Sequence, residues 1–115
     1  MAVISIWHNP RCTKSRQTLA LLEERGLEVQ VRRYLEDAPD MAELRDALEK
    51  LGLPAIDLMR RGEARFRELG LSRDTPEADL LAAMAENPIL IERPVVFANG
   101  RAAIGRPPEA VLDIL

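Results

Sequence analysis

The chain of 115 residues contains one cysteine, Cys12, and one histidine, His8. A single thiol excludes an intramolecular disulfide, so any oxidation of Cys12 during a reaction draws its second thiol from another molecule. One cysteine and one histidine, with the acidic residues spread over helix faces and turns, leave no ligand set for a structural zinc ion, and no metal site is expected. Long apolar runs are also missing: nothing approaches the roughly 18 residues of a membrane-spanning helix. The apolar start ends after Trp7, short for a secretion signal and without a basic flank, which points to a cytoplasmic protein with no membrane partner. Positive charge is not in excess. With 16 basic against 19 acidic residues and a net charge of −3, no nucleic-acid partner is expected, because such binders carry a basic face. Lysine is scarce: only Lys14 and Lys50 are lysines and every other cation is arginine. A glycine-rich phosphate loop is absent, since the six glycines read as helix ends and turns.

What remains is enough for a core. A hydrophobic content of 47% over residues 1–115 suits one domain, without repeats, low-complexity stretches or flexible linkers. Val3 to Trp7 reads as a strand, followed by a helix from Thr13 that is clear from Ser15 and ends at Gly26, with Leu19 and Leu22 on its apolar face. The alternation of Leu27, Val29 and Val31 predicts a second strand, Leu27 to Tyr34, with one buried face; strand, helix and strand form a right-handed parallel crossover. Asp40 caps the next helix, with Glu43 completing an acidic capping box and Met41, Leu44, Leu48 and Leu51 on the buried side before Gly52. Short helices follow, from Ala55 to Arg61 and from Pro76 to Glu86, the latter capped by Thr75, with a turn around Phe66 to Leu69. Strand character returns in Ile89 to Ile91 and in Val95 to Ala98, which meets Arg101 to Ile104 across Asn99-Gly100, a strong hairpin signal. A helix from Glu109 to Leu115 closes the chain. The order β-α-β, helices, β-β-α predicts an α/β thioredoxin-like fold with a helical insertion between the second strand and the C-terminal hairpin.

Cys12 stands where the first strand runs through His8-Asn9-Pro10-Arg11 into the first helix. Unpaired N–H groups and about half a positive charge at a helix start favour an anion there, and cysteines so placed have lowered pKa values. Arg11, Lys14 and Arg16 crowd the same turn, the Ser15 hydroxyl is placed to donate to the sulfur, and a protonated His8 would do the same. Most free cysteines are inert core residues, yet a core cysteine has no need of a strand-to-helix junction with cationic neighbours. Arg93-Pro94 opens the hairpin, a common place for a cis bond, which would turn Arg93 toward Cys12. Arg106 is stiffened by Pro107, and Arg60 sits at a helix end with Arg61. For any one arginine, surface solvation is the default; a thiolate together with three such arginines suggests a pocket for a tetrahedral oxyanion, whose oxygens guanidinium forks match two at a time.

Several stretches carry a family likeness: His8-Asn9-Pro10-Arg11-Cys12 with Ser15-Arg16, Tyr34-Leu35-Glu36, Leu58-Met59-Arg60, Glu68-Leu69-Gly70-Leu71, Asn87-Pro88-Ile89-Leu90-Ile91-Glu92-Arg93-Pro94 and Ile104-Gly105-Arg106-Pro107. Over its entire length the chain resembles the glutaredoxin-dependent ArsC-type arsenate reductases, in their short chromosomal form. The resemblance implies Cys12 as the nucleophile, His8 and Ser15 as its support, and Arg60, Arg93 and Arg106 as the substrate-binding cations. It also implies a reaction in which the thiolate attacks arsenate, glutathione displaces it from the arsenic adduct, and glutaredoxin reduces the mixed disulfide to release arsenite. No bound cofactor is implied, only glutathione as co-substrate and glutaredoxin as partner. Two other activities share the fold: an Spx-like redox-sensing regulator that binds RNA polymerase, and a general glutathione-dependent thiol-transfer protein. The serine at position 15 removes the Cys-x-x-Cys switch typical of Spx proteins.

Overall fold

Four short strands carry the thiol end of the molecule, and their order explains how distant segments meet. In the computed structural model, which describes residues 3–115, β1 (Ile4–Trp7) lies between β2 (Val29–Arg32) and β3 (Val95–Ala98), with β4 (Arg101–Ile104) outside β3. β1 and β2 are parallel, joined through helix α1 (Thr13–Glu24), while β3 runs antiparallel to both β1 and β4. The strand-helix-strand crossover and the hairpin therefore form as the sequence predicts. Asn99 and Gly100 both adopt positive φ, 55° and 72°, as a two-residue primed turn requires.

Period-two alternation divides the sheet faces. Ile4, Ile6, Val96 and Ala98 project to one side, where they pack with Leu22 of α1 and with Val111 and Ile114 of the closing segment into one buried cluster. Trp7 and Phe97 meet on the other side with ring centroids 5.0 Å apart, tilted by 58°. Helix α1 stops in a left-handed turn at Gly26, whose N–H bonds the Glu23 carbonyl while that of Leu27 reaches Leu22.

The described chain divides into two compact units: one takes the chain up to Asp37 together with Arg93–Leu115, the other is Ala38–Glu92. The second unit is the helical insertion. Its helices are α2 (Met41–Leu51), α3 (Ala64–Glu68) and α4 (Glu77–Glu86), with short 3-10 turns at Ala55–Leu58 and Pro88–Leu90. The α2 capping box is complete: the Asp40 carboxylate accepts from the Glu43 N–H and the Glu43 carboxylate from the Asp40 N–H. Glu77 reaches back to accept from the Ala55 N–H at 3.0 Å, tying α4 to the 3-10 turn.

Several local expectations are corrected. β2 spans only Val29–Arg32; Leu27 and Val29 are half-buried against the core cluster as the alternation predicts, whereas Val31, on this edge strand, is exposed. Ile89 to Ile91 is no strand: Pro88 starts a 3-10 turn, and only Ile91 makes an isolated bridge, to Met59. The helix expected to Arg61 is a 3-10 turn that stops at Leu58, whereas the turn around Phe66 is a short helix. Pro76, not Thr75, is the cap of α4, because the Thr75 hydroxyl accepts from the Ser72 N–H instead. The closing segment, Pro108–Ile114, is 3-10 rather than α-helical. Among the described residues, no helix is long and apolar enough to cross a membrane.

Candidate active site

Cys12 is the N-cap of α1 and only 8% exposed. Its position is fixed by the loop before it: the Cys12 N–H bonds the Asn9 carbonyl at 3.0 Å, Asn9 Oδ1 accepts from the Arg11 N–H, and Arg16 Nη1 donates to the Pro10 carbonyl. Burial, the strongest single influence, pushes the Cys12 thiol up. It is outweighed by the Ser15 N–H, the Arg93 guanidinium, the Lys14 N–H and the Arg106 guanidinium, which together hold the thiol below its ordinary value. Helix start and arginines act on the same atom, and both favour its thiolate form.

Arg106 Nη2 lies 3.6 Å from Cys12 Sγ, and Arg106 Nε donates to the Arg93 carbonyl at 2.8 Å. The two arginines are thus linked through backbone as well as through the charge they face. Arg93 buries its Nε and Nη1. The Arg93-Pro94 bond is cis, as the sequence suggests, and so is Arg106-Pro107, which the sequence reading does not anticipate.

Ser15 is fully buried and His8 nearly so. Ser15 Oγ accepts from the Asn9 N–H at 3.0 Å and lies 2.6 Å from His8 Nδ1. The expected contacts are therefore rearranged: the hydroxyl serves the His8-Asn9 turn, and it is the Ser15 backbone N–H that acts on the sulfur. Nor do the surroundings of His8 favour its protonated form. Burial, then the charges of Arg33 and Arg16, push it below its ordinary value against an opposing pull from Glu23.

Arg60 belongs to the Ala38–Glu92 unit, where its Nη1 pairs with Glu63 Oε2 at 2.8 Å and its N–H bonds the Leu90 carbonyl. Cys12, His8, Ser15, Arg93 and Arg106 are gathered within the other unit. Sequence reasoning overlooks Asn9, whose backbone and side chain shape the thiol loop, although an Asx turn is legible in Asn9-Pro10-Arg11. It also treats Gly105 as a turn glycine. A Cβ there would lie 2.5 Å from Thr18 Oγ1 and 2.8 Å from Pro94 Cγ.

The ArsC family model matches residues 7–114. The chain is 50% identical over 119 aligned residues to an arsenate reductase of Neisseria meningitidis serogroup A, covering all of both chains. It is 40% identical to an arsenate reductase of Escherichia coli, over the whole of this chain and 82% of the relative. The solved structure described as an arsenate reductase from Vibrio cholerae superposes with a TM-score of 0.96 at 50% identity, over 98% of each chain. With a thioredoxin-like sheet presenting a lone cysteine at a helix start beside two arginines, and with relatives matched end to end, this chain belongs to the ArsC family.

Proposed function

We propose that this protein reduces arsenate to arsenite, using Cys12 as nucleophile, glutathione as co-substrate and glutaredoxin as the partner that restores the thiol. The observation that carries the reading is the Cys12 sulfur at the α1 start with Arg106 Nη2 at 3.6 Å and the charge of Arg93 acting on it. A thiolate and an oxyanion repel each other, and fixed cations beside the sulfur offset that repulsion where the reacting charge develops. In the first step the Cys12 thiolate forms a sulfur–arsenic bond, and one arsenate oxygen leaves as water after taking up protons from solvent. A glutathione thiolate then attacks the Cys12 sulfur. The sulfur–sulfur bond forms, the electron pair of the sulfur–arsenic bond goes to arsenic, and arsenite departs reduced by two electrons. A glutaredoxin thiolate next takes the glutathionyl group and returns Cys12 as a thiolate. The lone cysteine suits this route, since every other thiol is borrowed.

His8 and Ser15 act in this scheme by holding the thiol loop, through the 2.6 Å contact between them and the Asn9 N–H bond. Relatives named arsenate reductase at 50% identity support the choice of arsenate among oxyanions. The test is a coupled assay with arsenate, glutathione, glutaredoxin and a glutathione-regenerating system, run beside Cys12→Ser. Arsenate-dependent turnover by the wild type and none by Cys12→Ser is expected; wild-type inactivity, or turnover that survives the substitution, overturns the proposal. The part the family resemblance gives to Arg60 is tested separately by Arg60→Ala, expected to raise the arsenate KM.

A further inference from the structure

Gly105 differs from the other glycines. Gly26, Gly52, Gly70 and Gly100 adopt positive φ with open space where a side chain would stand, and Gly62 is likewise open. Gly105 has no positive φ, so backbone conformation does not explain its lack of a side chain; space does. A Cβ at this position would meet Thr18 Oγ1 at 2.5 Å, Pro94 Cγ at 2.8 Å and Thr18 Cγ2 at 3.1 Å. Neither neighbour is a flexible tip. Thr18 is fully buried in α1, its hydroxyl is held by the Lys14 carbonyl at 2.8 Å, and its branched side chain is stiff at χ1. Pro94 Cγ belongs to a closed ring.

The close approach is transmitted to the thiol by short bonds. The Gly105 N–H donates to the Pro94 carbonyl at 2.9 Å, the next residue, Arg106, donates its Nε to the Arg93 carbonyl at 2.8 Å, and Arg106 Nη2 faces Cys12 Sγ. We propose that Gly105 is a positioning residue of the Cys12 site: having no side chain, it lets the Arg93-Pro94 and Arg106-Pro107 limbs lie against α1, and so sets where both guanidinium groups stand around the sulfur. Restoring ordinary carbon contacts of about 3.5 Å around an added methyl moves the limb by roughly 1 Å, and the arginines move with it.

This inference rests on Cys12 acting as a thiolate, not on which oxyanion it attacks, so thiol reactivity tests it apart from arsenate turnover. Cys12 is the only thiol, and its alkylation by iodoacetamide is followed across pH for the wild type, Gly105→Ala, Thr18→Ala and the double variant. Gly105→Ala is expected to react ~3- to 10-fold more slowly below the wild-type midpoint and to converge with the wild type at high pH, as befits cations moved away from a thiolate. Thr18→Ala alone stays close to the wild type, and the double variant recovers part of the lost rate because two of the three contacts are gone. A folded Gly105→Ala protein, by circular dichroism, with a wild-type profile overturns the proposal. So does a slowing equal at every pH, which reports blocked access rather than displaced charge. Should Gly105→Ala fail to fold, the double variant decides against Thr18→Ala: a lower rate below the midpoint supports the proposal, and superimposed profiles overturn it.

Discussion

Replacing Arg106 with glutamine removes the cation 3.6 Å from the Cys12 sulfur and cuts the bond from Nε to the Arg93 carbonyl. Two unit charges at that distance interact by about 1 kcal/mol at the dielectric of water and by about 5 kcal/mol at an effective dielectric of 20. Arg106 is exposed, so solvent screening places the pair near the lower figure. A loss of about 1 kcal/mol lowers the thiolate population below the midpoint by about fivefold. The alkylation rate of Cys12 in mildly acidic buffer falls by the same factor, while at high pH, with both proteins fully ionised, the rates agree. Arg106→Lys keeps the charge but not the fork, and falls between them. Raising the salt concentration brings the wild type toward the glutamine variant, because the pair is open to screening. Superimposed pH profiles for wild type and Arg106→Gln at low salt would mean that Arg106 adds nothing to the field at the sulfur.

Stability carries the same signature. The folded-state value of Cys12 is depressed, so its contribution is complete above the value of the unfolded thiol and is lost as pH falls through the folded-state value. The wild type therefore gains stability over Cys12→Ser as pH is raised through that window, and urea melts at several pH values measure the difference. Ser15→Ala strips His8 Nδ1 and the Asn9 N–H of a buried partner and costs about 1–3 kcal/mol in the same melts. Asp40→Ala removes one side of the α2 capping box and costs about 1 kcal/mol, with Cys12 reactivity unchanged.

The parts of the fold legible in the sequence are those set by local chemistry. Asn99-Gly100 demands a primed turn, Asp40 with Glu43 demands a cap, and the α1 pattern demands that Leu22 face the core. Errors arise where tertiary position overrides pattern. Val31 has the residue type and alternation of a buried strand, yet on this edge strand it is exposed, which no local signal reports. Ile89 to Ile91 has β-branched character, yet the proline before it bends the segment into a 3-10 turn. At the site, Cys12 is visible from the strand-to-helix junction alone. The Ser15 hydroxyl is misassigned because its choice between the sulfur and the His8-Asn9 turn is decided by loop geometry. Gly105 is missed for a related reason: close approach between segments far apart in sequence leaves no mark except the glycine itself.

Direct titration of the wild-type thiol, by its thiolate ultraviolet absorbance with Cys12→Ser as the blank, reads the ionisation of Cys12 without any substrate. A midpoint below that of an ordinary cysteine is the predicted result. A midpoint at or above the ordinary value would show that burial outweighs the helix start and the two arginines together, and that Cys12 is no activated thiol.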